Sequence, residues 1–212
     1  MKKIISVVVS LAFIFSLCVP LGYAAKISAF PDDPFLSGFS EYVTIDGERA
    51  EIQYMQDSDG NNIVKCIHED GTVDVAKYDK ANNTFYWNGE RISTVIVPLS
   101  AYASNIPLEG TLAGNWEMLG EPSIFNWETY NLTASALCSL MAAATAMPLS
   151  FLLDVIGYKL SKSDWVSAVQ WQFVNFEDYG FKTGMYKHCQ VFDGPNGTGN
   201  YIAHYNTSVT VR

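Results

Sequence analysis

Basic residues are scarce in this sequence: 13 lysines and arginines stand against 22 aspartates and glutamates, for a formal net charge of −9. A surface of that sign repels phosphate backbones, so nucleic acid is a poor partner, and it offers no electrostatic attraction to anionic lipid. Histidine is scarcer still, with His68, His188 and His204 the whole supply. No His-x-x-x-His or Cys-x-x-Cys spacing accompanies them, so neither a metal site nor a cofactor is expected. A Gly-x-Ser-x-Gly elbow is missing, as is a glycine-rich phosphate cradle.

Cysteine is too sparse for a disulfide framework. Cys18 falls in an apolar N-terminal stretch, and the remaining three, Cys66, Cys138 and Cys189, cannot all pair. They read as small buried apolar residues; if a bridge forms, the strand-like stretches around Cys66 and Cys189 are where to look. Cys138 beside a histidine would suggest a nucleophile, but its uncharged surroundings disfavour a thiolate.

What is present begins with a leader. Met1-Lys2-Lys3 is a basic start, Ile4 to Leu17 is apolar but short for a span, and Gly22-Tyr23-Ala24 offers the small residues that a signal peptidase needs. Export with cleavage near Ala24 is the expectation, which removes two lysines and takes the net charge from −9 to −11. The bulky Leu17 before Cys18 argues against lipidation.

Residues 25–40 hold Pro31, Pro34 and Gly38 without periodicity and read as an extended lead-in. Over 41–98 short β-branched and aromatic runs alternate with turn clusters, the pattern of a β-meander. Asp70-Gly71 and Asn88-Gly89 are the pairs that two-residue type I′ hairpins favour. Residues 99–114 carry Pro107, Gly110 and Gly114 and read as a linker. The 115–212 region is again β-rich: Trp165 to Val174 is a long strand, and Met185 to Phe192 with Tyr201 to Val211 make a hairpin that brings His188 near His204. The fold class predicted is α+β, an antiparallel meander and C-terminal hairpins with an apolar helical hairpin between them.

That helical hairpin is the one long hydrophobic feature. "LTASALCSLMAAATAMPLSFLL", Leu132 to Leu153, carries no formal charge. About 20 apolar residues cross a bilayer, but Ala, Ser and Thr contribute little to insertion and Pro148 breaks the run. Two helices are expected within 130–160, roughly Tyr130 to Met147 and Leu149 to Leu160. Small residues recur four apart at Ala134, Cys138, Ala142 and Ala146, a stripe that permits close packing in a core or in lipid. The residues set to meet a membrane are Leu137, Leu140, Met141, Met147, Pro148, Leu149, Phe151, Leu152, Leu153 and Ile156.

Other chemistry has only permission. Glu117, Glu121, Glu128, Glu177 and Asp178 include enough carboxyls for a glycosidase pair, yet no spacing singles out two. Asp57-Ser58-Asp59-Gly60 lacks the later ligands of a calcium loop and reads as an Asx-capped turn.

The order of parts resembles the geobacillin-type family of large secreted bacteriocins from Gram-positive bacteria. The likeness rests on "CIHEDGTVDVAKYDKANNTFYWNG", with "YDKANNTF" within it, then "GNWEML", then the alanine-rich segment and an aromatic β-rich tail. It implies an exported antibacterial protein that is not a short peptide, with no catalytic residues to carry over and no ring-forming modification; an immunity protein encoded next door would be the partner that supports this reading. The expected action is non-enzymatic, on a target-cell lipid membrane, through residues 132–160. The rival is an extracellular module that binds wall glycan or a surface protein through Trp, Tyr and Asn, with the helices as core; a secreted hydrolase using His188 or His204 is a third reading.

Overall fold

A computed structural model describes residues 33–98, 116–160, 163–176 and 182–209. The expected leader, the first part of the expected lead-in and the expected linker at 99–114 lie outside them. The first described element corrects the extended lead-in: Pro34–Ser37 is a short helix, α1. Asp33 caps it by accepting the Phe35 N–H at 3.0 Å, proline sits in its first turn, and Gly38 ends it at φ 64°. These are the start and stop residues of a helix compressed into six positions, Asp33 to Gly38.

Six antiparallel strands follow in simple meander order: β1 (Ser40–Ile45), β2 (Glu48–Gln56), β3 (Asn62–His68), β4 (Val73–Asp79), β5 (Thr84–Trp87) and β6 (Glu90–Ile92). Alternation decides which face goes inward. Ala50, Ile52 and Tyr54 of β2, Val64 and Cys66 of β3, and Ala76 and Tyr78 of β4 are buried. Their neighbours in sequence point away.

The turns show why glycine alone does not define a hairpin. Asn88-Gly89 closes a two-residue loop with both residues at positive φ, as its sequence predicts, and Asp46-Gly47 does the same. Asp70-Gly71 does not: only Gly71 is at positive φ, and His68 pairs with Thr72 through its N–H at 2.9 Å. The loop there is three residues, a turn closed by a left-handed glycine. Asp70 accepts the Thr72 N–H at 2.9 Å, and that bond favours the longer loop.

The last run of the expected meander splits at Ser93. Glu90–Ile92 finishes the first sheet, whereas β7 (Thr94–Pro98) crosses to the second and pairs with β9. That sheet orders as β12-β11-β10-β9-β7, with β8 (Trp116–Met118), β9 (Ser123–Glu128), β10 (Trp165–Phe176), β11 (Lys182–Phe192) and β12 (Tyr201–Val209). β8 lies along β10 beyond the end of β9.

Between the sheets lies the helical hairpin, α2 (Ala134–Thr145) and α3 (Leu149–Leu160). α2 starts four residues later than the apolar run suggests, because Thr133 caps it by accepting the Ala136 N–H at 3.2 Å. It stops two residues early, where Ala146 turns left-handed at φ 63° before Met147 and Pro148. α2 packs on β3, β4 and β5 and on β10; α3 packs on β1 and β12. One hydrophobic core joins both sheets and both helices. Each helix is 12 residues, about 18 Å, against roughly 30 Å of hydrocarbon. Among the described residues no helix is long and apolar enough to cross a membrane.

Candidate functional site

Six of the ten expected membrane-facing residues are in the folded protein's interior. Leu137, Leu140, Met141, Met147, Leu149 and Leu152 are at most 1 % exposed. Pro148, Phe151 and Leu153 are half-buried, and Phe151 rests on the Tyr205 ring at 4.8 Å. Ile156 lies in α3, but its side chain is outside the described residues. The run from Ala136 to Met147 is buried without interruption. A helix apolar on every side requires such an enclosure or a bilayer.

Polar side chains from both sheets hold the hairpin's turn. From the first sheet, Asn62 Nδ2 donates to the Ala143 carbonyl at 2.8 Å; from the second, Gln170 Nε2 donates to the Thr145 carbonyl at 3.0 Å. The start of α3 is capped by residues more than 90 positions earlier. Glu41 on β1 accepts the Leu149 N–H at 2.7 Å, the Ser150 N–H at 3.4 Å and the Ser150 hydroxyl. Tyr54 on β2 donates to Glu41 at 2.5 Å and accepts the Leu149 N–H at 2.6 Å. A carboxylate at a helix N-terminus meets the positive end of the helix dipole and satisfies otherwise orphaned N–H groups. Burial, then the Glu41 charge, pushes the Tyr54 phenol far above its ordinary value, so it stays a donor at any physiological pH.

These four residues carry no site signal in the sequence. Tyr54 stands out only as an inward-facing member of an alternating strand. Glu41, Asn62 and Gln170 are polar residues in strands, and nothing local ties them to the helical hairpin.

The other candidates separate cleanly. His188 and His204 do meet across the C-terminal hairpin, ring centroids 5.6 Å apart. His188 is fully buried and bonds Asn206 Oδ1 at 2.6 Å and Gln190 Nε2 at 3.1 Å; His204 bonds the Tyr201 hydroxyl. Among the described residues no three His, Cys, Asp or Glu side chains group to hold a metal. Cys66, Cys138 and Cys189 are free and buried, in the first sheet, the helix and the second sheet. Burial pushes the Cys138 thiol up to about 12, which disfavours the thiolate that a nucleophile needs. Glu117 and Glu121 are exposed, Glu128 is half-buried, and Glu177 and Asp178 lie outside the described residues. Asp57 spends its oxygens on the N–H groups of Asp59 and Asn61, the Asn61 amide and Lys77 Nζ, an Asx-capped turn.

No protein-family model, curated relative or solved structure matches the chain.

Proposed function

We propose that this chain is a secreted, non-enzymatic antibacterial protein of the bacteriocin kind, and that its hairpin over 132–160 acts on the membrane of a target cell. The observation that carries the reading is the enclosure of an uncharged helix between two sheets, with its turn held by Glu41, Tyr54, Asn62 and Gln170. Water-soluble sheets carry the apolar element, and a small set of polar contacts keeps it in.

The physics sets the manner of action. Transfer from the core to a bilayer exchanges one apolar environment for another, so the apolar surface of the hairpin costs little on that route. Helices of about 18 Å enter one leaflet and lie in it rather than span it. The acidic charge gives no attraction to anionic lipid, so apolar contact supplies the affinity. The leader at 1–24 supports export, and a producing cell needs an immunity protein against its own product.

The test is dye release from liposomes by the protein cleaved near Ala24, together with growth inhibition of Gram-positive strains. Release and inhibition at matching concentrations are the expected result. A protein that leaves vesicles intact and every strain growing ends the proposal; loss of inhibition on replacing His188 or His204 in a stably folded variant would favour the hydrolase reading.

A further inference from the structure

The outer side of the first sheet, away from the helices, carries a row of residues set opposite one another across five strands: Met55, Ile63, Lys77, Tyr86 and Arg91. Lys77 is committed, its ammonium 2.8 Å from Asp57. Arg49 on the same side lies 4.0 Å over the Tyr42 ring. Arg91 is exposed and forms no ion pair with a described residue, which leaves a permanent charge and five N–H donors at the end of the row.

Arg91 also lines a cavity of about 200 Å³ with Asn83, Thr84, Ile92, Ser93 and Thr94. It sits where the chain passes from β6 to β7, so both sheets brace it. Among the described residues no carboxylate lines it. Asn83 Oδ1 already accepts the Tyr78 hydroxyl at 3.0 Å, and the Thr84 hydroxyl donates to the Asn82 carbonyl at 3.0 Å. The Asn83 amide N–H groups and the Ser93 and Thr94 hydroxyls belong to residues that line the same cavity as Arg91. The volume is below the roughly 300–1,000 Å³ of a pocket that swallows a whole ligand. It admits one anionic group of a larger molecule that continues over the sheet.

We propose that this corner, a local cationic spot on an otherwise acidic surface, binds a single oxyanion carried on a sugar or polyol of a bacterial wall; the surrounding negative charge that repels a long phosphate backbone confines the attraction to that one group. The carboxylate or phosphate pairs with the Arg91 fork. Neighbouring hydroxyls of the ligand meet Asn83, Ser93 and Thr94. The next unit lies on the half-exposed ring of Tyr86, which stands directly opposite Arg91. The site would place the protein on a walled cell, and it does not depend on what the hairpin does afterwards.

Titration calorimetry of the full cleaved protein tests it with three probes: a uronate oligosaccharide, poly(glycerol phosphate) and a neutral N-acetylglucosamine oligomer. Binding of a charged probe is expected, weakened by salt and at least about tenfold weaker in Arg91→Gln, with Arg91→Lys intermediate. Which charged probe binds tells carboxylate from phosphate. Because Arg91 is exposed, both variants should melt at the parent temperature. Failure of both charged probes to bind, equal binding of the neutral one, or an Arg91→Gln protein that binds like the parent overturns the site. Liposomes have no wall, so Arg91→Gln leaves dye release unchanged while it lowers potency on cells; loss of dye release instead would contradict the assignment.

Discussion

Glu41→Ala removes the acceptor that holds the start of α3, and its cost follows from the hydrogen bonds that the carboxylate makes. It takes N–H bonds from Leu149 at 2.7 Å and Ser150 at 3.4 Å, the Ser150 hydroxyl, and the Tyr54 hydroxyl at 2.5 Å. A bond to a charged group contributes about 1.5–3 kcal/mol, and loss of a helix cap costs about 1 kcal/mol. The two effects overlap, and Leu149 keeps Tyr54 as an acceptor at 2.6 Å. A net loss of about 2–3 kcal/mol results, since additivity fails within one network. For a chain of this size that lowers Tm by about 5–10 °C. Glu41→Gln keeps the shape and one acceptor and loses less. If the released hairpin has no Glu41 contact, the same free energy raises its population about 25- to 150-fold. Urea unfolding measures the first quantity and the initial rate of dye release the second. A Glu41→Ala protein within about 0.5 kcal/mol of the parent, the range of an ordinary surface change, refutes the latch; one that is destabilised but releases dye no faster refutes the link between latch and membrane action.

Two further predictions concern the core and pH. Ala142 is fully buried, so Ala142→Asp places an unpaired carboxylate inside the sandwich at more than about 4 kcal/mol and leaves little folded protein by circular dichroism. The thiols of Cys66 and Cys138, pushed by burial from 9.0 up to about 11 and about 12, contribute stability that is complete below pH 9 and is lost as pH rises toward those values. Asp57, Asp70 and Asp79, held below their ordinary 3.8 by hydrogen bonds from Lys77, Thr72 and Asn82 respectively, act in the opposite sense: their contribution is present above pH 4 and is lost as pH falls. Urea midpoints across pH should therefore decline at both ends; a midpoint flat from pH 8 to 11 would contradict the buried thiols.

Much of the fold is legible in the sequence because its signals are local. Alternation in Glu51–Gln56 and the Asn88-Gly89 pair announce the meander, and Pro148 announces the break between helices. The turn at Asp70 departs from the dipeptide rule because a side-chain bond to Thr72, which two residues alone do not reveal, selects a longer loop. Ser93 as the crossing point between sheets is not legible, since Ile92 to Val97 is a single β-branched run whose division depends on which strand each half meets. The short helix at Pro34 has its capping residues in plain view, but four residues show no period. Of the candidate site only the apolar half is legible. Leu137 through Leu152 stand out by composition, whereas Glu41, Tyr54, Asn62 and Gln170 come to the turn only through the topology of two sheets. Arg91 and the hydroxyls beside it gather for the same reason.

The hairpin's departure from the core is best observed by photocrosslinking. Vesicles containing a lipid with a diazirine near the end of its acyl chain are incubated with the cleaved protein, illuminated, and the modified peptides mapped by mass spectrometry. The account predicts crosslinks within 132–160, at residues such as Leu137, Leu140 and Met141 that are sealed in the folded protein. Crosslinks confined to the outer faces of the two sheets, with dye released and 132–160 unmodified, would contradict it.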